Sequence, residues 1–193
     1  MPRKKQFDED EVLEKAMQLF WLKGYHGTSI QNLVDYLGIN RASLYDTFGG
    51  KHQLFLETLD RYKFSNADAL LESFKEMDNV LDGLKSMFMI LLQESLDDEE
   101  QKGCLMVNTT TELAPHDEVS TKVVQENRQK FIRFFKSLLE EAQERGELDA
   151  DKDPEDTAQY LFTLYNGMKV IAKLEKDPQV MERMLETGLS VLD

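Results

Sequence analysis

Residues 28–51, TSIQNLVDYLGINRASLYDTFGGK, constrain the fold of this chain more than any other stretch. Thr28 can cap a helix, with Gln31 three residues on to complete a capping box. Ile30, Leu33, Val34 and Leu37 then recur at helical spacing, which makes one face apolar. Gly38 suits the left-handed backbone that ends a helix, and Asn40 can cap a second one. That second helix carries Arg41, Ala42, Ser43, Leu44, Tyr45 and Phe48 before Gly49-Gly50 break it. Two short helices across a three-residue turn form a helix-turn-helix pattern, whose second helix lies in the DNA major groove. The competing reading is an ordinary helical hairpin, architectural only.

The outward residues of the second helix separate the two readings. Arg41, Ser43, Tyr45 and Thr47 all carry hydrogen-bonding groups, and no acid intervenes before Asp46. Arginine can bond guanine with two parallel hydrogen bonds, while serine and tyrosine suit a phosphate or a base edge. Thr28 and Thr47 are candidate phosphate ligands, and Leu44 and Phe48 belong to the core. Thr28, Gly38-Ile39, Leu44-Tyr45, Phe48 and Lys51 together resemble the DNA-binding domain of the TetR family of bacterial transcriptional regulators. The resemblance is tight over residues 7–55 and extends to layout beyond them. Many members have histidine where this chain has Thr47, so the resemblance does not carry a contact over to that position.

The flanking segments support the motif. Residues 1–6 hold Arg3, Lys4 and Lys5, a basic arm able to reach phosphates or a minor groove. Val12, Leu13, Ala16, Met17, Leu19 and Phe20 mark an amphipathic helix over residues 8–23 that starts acidic and stops at Gly24. Trp21, Tyr25 and His26 read as packing. After the motif a long helix runs from Lys51 to about Lys75, through Leu54, Phe55, Leu56, Leu59, Tyr62, Leu70, Leu71 and Phe74. The resemblance makes it the link to the rest of the chain. Lys51 stands at its start, where an ammonium and backbone amides can hold a phosphate. The expected division is residues 1–50 for the DNA-binding domain and 51–193 for a helical effector-binding and dimerisation domain.

The body reads as helix throughout: residues 79–96, a short segment at 104–113, then 118–145, 154–174 and 178–192. Pro115, Gly146, Pro154 and Pro178 punctuate them. The fold class is therefore all-α, with about nine helices. The longest apolar run, residues 87–92, is far short of the roughly 18 residues a membrane span needs. Arg3, Lys4 and Lys5 lead straight into the acidic start of the first helix, so no signal peptide is expected, and a single cysteine fits a reducing cytoplasm.

A net charge of −14 appears to oppose DNA binding, but the charge is unevenly placed. Residues 1–63 hold nine basic and nine acidic side chains, whereas the remainder holds 14 and 28. A neutral reading end with local cations can grip phosphates while the acidic body stays clear of the duplex. No nucleophile motif, phosphate-binding glycine loop or metal-ligand spacing occurs, so neither catalysis, metal nor cofactor is expected.

The resemblance implies two further sites. The last two helices would pair with their copies in a homodimer through Leu161, Leu164, Gly167, Ile171, Met184, Leu185 and Gly188, placing two reading heads on a palindromic operator. A small-molecule effector would enter the body and shift the linking helix. Its candidate lining is Phe88, Leu92, Cys104, Val107, Asn108, Thr111, Phe131, Phe135, Tyr165 and Met168. A mainly apolar lining implies a hydrophobic or aromatic ligand. Cys104 follows Lys102-Gly103 at a helix start, where the dipole and an ammonium can activate a thiol, so an electrophile- or oxidant-triggered regulator is the alternative. A protein-interaction module without specific DNA binding is the alternative of another class.

Overall fold

The computed structural model describes residues 7–72 and 78–193, with side chains for 7–63 and 78–193. The expected arm at residues 1–6 and the linker position Phe74 lie outside the described residues, and the linker positions Leu70 and Leu71 lie outside the described side chains. Nine α-helices and no strand are found among the described residues, so the all-α expectation is met.

α1 (Glu9–Lys23) begins at Asp8, whose carboxylate accepts from the N–H groups of Asp10 and Glu11 at 2.9 and 3.2 Å. α2 (Ile30–Leu37) and α3 (Arg41–Phe48) follow. Gly38 closes α2 at φ +67°, and Asn40 caps α3 by accepting from Ser43 N–H at 2.8 Å. The expected cap of α2 is one residue off. Ser29 caps it, with Asn32 as the reciprocal partner rather than Gln31. Thr28 is turned inward and fully buried, its hydroxyl donating to Gly24 O at 2.7 Å.

α4 (Lys51–Glu72) drives Leu54, Phe55, Leu59 and Tyr62 into the same core as Phe20, Leu33 and Leu44. This core also takes in Leu105 and Met106 of α6 (Leu105–Glu112), with Cys104 and Leu113 that flank it. Packing therefore does not divide at residue 50, because α6 belongs to the N-terminal core on one side.

The second core lies between α5 (Val80–Leu96), α7 (Glu118–Glu144), α8 (Pro154–Ile171) and α9 (Pro178–Leu189). Phe88 stacks on Phe135 at 5.9 Å between centroids, and Phe131 on Tyr165 at 5.4 Å. α8 stops three residues before the expected Leu174. Lys173 and Leu174 donate to the carbonyls of Val170 and Ile171, a tightened last turn, and Leu174 projects into solvent. Among the described residues, no helix is long and apolar enough to cross a membrane.

Candidate nucleic-acid interface and body cavity

α3 presents a polar face because only Leu44 and Phe48 are drawn into the core. Arg41 and Tyr45 are exposed, with the guanidinium 5.8 Å from the ring centroid, while Ser43 and Thr47 are partly covered. Tyr45 lies against Gly50, where an added Cβ would come within 3.2 Å of the ring. Gly50 thus lets the tyrosine fold over the start of α4. Thr28 has no surface to offer a phosphate, since it is buried beneath Gly24. Tyr36 on α2 is half exposed, a position the sequence pattern does not single out.

Lys51 is the first residue of α4, and its ammonium sits 4.1 Å from the Tyr25 ring centroid. Partial burial lowers its pKa from the ordinary lysine value, with the Glu112 carboxylate opposing the shift. Glu112 itself closes α6 and accepts from the backbone N–H groups of Tyr25 and His26 at 3.0 and 2.7 Å. Further bonds join the same seam. Trp21 Nε1 donates to Gly103 O at 3.0 Å, Tyr62 donates to Cys104 Sγ at 3.5 Å, and His52 Nε2 lies 3.4 Å from Asp117.

On the other side of α6 lies a cavity of about 480 Å³. α6 contributes Met106, Val107, Thr110 and Thr111, and α7 contributes Thr121, Val124, Gln125, Asn127 and Arg128. Phe162 and Asn166 of α8 close it, with Ala114 and Pro115 at one end. Arg128, Phe162 and Asn166 also line an adjoining open groove of about 460 Å³ that continues over Thr163, Gly167, Val170 and Ile171.

Of the expected effector residues, Val107 and Thr111 line the cavity. Phe88, Leu92 and Phe135 do not, because they are fully packed within the second core. Tyr165, Met168 and the half-buried Phe131 belong to that core as well. Asn108 is spent on Lys102 O and on the Lys173 ammonium, at 2.8 and 3.2 Å. Cys104 is buried at the start of α6. Lys102, the ammonium expected to activate it, pairs instead with Glu100 and lies over Trp21. Burial pushes the Tyr165 phenol well up, with Cys104 adding to the effect. Burial lowers Lys169, against Cys104, Glu94 and Asp98.

The expected dimer residues divide likewise. Leu161 and Leu185 fill the chain's own core and have no surface for a second subunit. Gly188 is buried under Leu164, whose side chain would lie 2.6 Å from an added Cβ, so that close approach joins α8 to α9 within one chain. Gly167 faces open space and Met184 is exposed, while Leu164 and Ile171 are half-buried. Among the described residues, no cluster of His, Cys, Asp and Glu is arranged to hold a metal.

Two family descriptions match the chain: "Bacterial regulatory proteins, tetR family" over residues 12–58 and "Tetracyclin repressor-like, C-terminal domain" over residues 80–187. The HTH-type transcriptional regulator YezE of Bacillus subtilis is 34% identical over the full length of both chains. The HTH-type transcriptional repressor ComR of Escherichia coli is 32% identical, covering 92% of this chain and 87% of ComR. A solved structure of a cysteine mutant of CifR, complexed with 26-bp operator DNA, superposes with a TM-score of 0.88. Its identity is 27%, covering 99% of this chain and all of that one. The α1–α3 unit is a DNA-binding helix-turn-helix domain, and the chain belongs to the TetR family of bacterial transcriptional regulators.

Proposed function

We propose that the protein is a dimeric cytoplasmic repressor that holds a palindromic operator through α3 and leaves it when a small effector fills the α6–α7–α8 cavity. The position of α6 carries this reading. Leu105 is buried in the N-terminal core and Thr111 faces the cavity, while Met106 and Val107 touch both. A ligand that fits only one setting of α6 would shift the heads through differential affinity for the two states. Glu112, at the end of α6, grips the loop just ahead of the reading motif.

Arg41 and Tyr45 supply base and phosphate contacts, with Ser43 and Thr47 beside them, and Lys51 a phosphate contact at the α4 start. The partner would cover the α8 stripe of Tyr160, Thr163, Gly167 and Val170, with Met184 of α9 at its side. Titration against DNA from beside the gene and against a scrambled duplex tests the reading. Arg41→Ala should relax base preference, while Lys51→Ala should weaken all sequences alike by about tenfold. Equal binding of operator and scrambled DNA at moderate salt would refute it.

Cys104 favours one second reading, because its thiol contacts Tyr62 of α4 at the start of the same helix. Alkylation there would wedge α6 from α4 and release DNA without a reversible ligand. Release on alkylation of the native protein, absent in Cys104→Ala, is the expected sign. Normal binding by fully alkylated protein removes this trigger.

A further inference from the structure

We propose that the effector is an amphipathic organic acid whose carboxylate is held by Arg128. The inference rests on the effector reading of the cavity above and adds the chemistry of its ligand. Residues 64–193 hold 28 acidic side chains against 14 basic ones, yet none of the residues lining the cavity or its groove is acidic. Arg128 is the one charged residue lining either, and it stands where they meet. Its guanidinium donates to the neutral Gln159 Oε1 at 3.3 Å and makes no ion pair among the described residues. A cation retained at the mouth of an acid-free cavity, in a body with twice as many acids as bases, is placed for an anion from outside. The flat guanidinium matches a carboxylate with two parallel bonds.

The rest of the lining supplies a few polar groups and apolar surface. Thr110, Thr111 and Thr121 each donate their hydroxyl proton to a backbone carbonyl, so they have none for a ligand. The side-chain amides of Gln125 and Asn127, which precede Arg128 on α7, make no hydrogen bond among the described residues. Met106, Val107, Val124 and Phe162 offer only apolar surface. A volume of about 480 Å³ lies within the range of roughly 300–1,000 Å³ usual for small-ligand sites. The fit is a head group of one negative charge on a short alkyl or aryl body.

Calorimetric titration of the full-length protein with matched acid and amide pairs tests this: octanoate against octanamide, and 4-phenylbutyrate against its amide. At least one acid should bind about tenfold more tightly than its amide. Arg128→Gln should bring the two within about twofold. Arg128→Lys should retain part of the preference, and Lys130→Gln, outside the cavity, all of it. Equal binding of acid and amide overturns the proposal, as does a preference that survives Arg128→Gln, or failure of both acids to bind at millimolar concentration. Amides binding without acids would leave a neutral effector in the cavity and refute only the anion. The titration contains no DNA, so loss of operator recognition would count against the repressor reading independently.

Discussion

Glu112 illustrates how one side chain ties α6 to the loop ahead of the reading motif. Its carboxylate serves two backbone donors, those of Tyr25 and His26, and charge assistance makes such bonds stronger than neutral ones. A Cβ at Gly24 would stand 2.7 Å from Glu112 Oε2, so that glycine, at φ +76°, also makes room for the carboxylate. Glu112→Ala should cost about 1–3 kcal/mol in urea-induced unfolding, and Glu112→Gln less, since one acceptor oxygen remains. Equal stability of all three proteins would show that water replaces the carboxylate without loss. Nothing in CLMVNTTTEL announces this role, because the bonded amides lie more than 80 residues earlier. Gly38 and Asn40 were legible for the opposite reason. Caps and left-handed turns are settled within four residues, and their chemistry is written where it acts.

The start of α2 shows the limit of that local legibility. Thr28 and Ser29 are adjacent and both suit an N-cap, so sequence alone does not choose between them. The choice is made by the turn after α1, which pulls the Thr28 hydroxyl onto Gly24 O and leaves Ser29 at the helix entrance. Ser29→Ala should therefore cost about 1 kcal/mol, from the lost capping box. Gln31, exposed and bonded to Asp35 within α2, should cost no more than about 0.5 kcal/mol as alanine. The reverse ranking in thermal melts would restore the cap to Thr28. α6 was legible as a short helix rich in threonine, but its hydroxyls turn back onto its own carbonyls. The polar positions that reach the cavity's mouth come instead from α7. There Gln125, Asn127 and Arg128 sit among other polar residues and carry no distinguishing pattern.

At the scale of the whole molecule, α8 fills the chain's own core with one face and, in the proposed dimer, meets a second subunit with the other. Apolar residues populate both, and a helical period alone does not say which face is internal. Apolar periodicity therefore makes Leu161 of α8 and Leu185 of α9 interface candidates although both are core, and it does not single out the exposed Tyr160 and Val170. The division predicts two distinguishable failures. Leu161→Ala should lower the stability of each subunit by about 2–5 kcal/mol through the cavity it leaves. Val170→Lys places a charge on the exposed stripe, within the groove that ends at Arg128, and should leave each subunit folded. It should instead shift sedimentation at micromolar concentration from dimer to monomer. Operator affinity should fall with it, because each separated head meets only one half-site. A Val170→Lys protein that still sediments as a dimer and binds operator normally would place the interface elsewhere. The groove on α8 would then open to solvent rather than to a second copy of the chain.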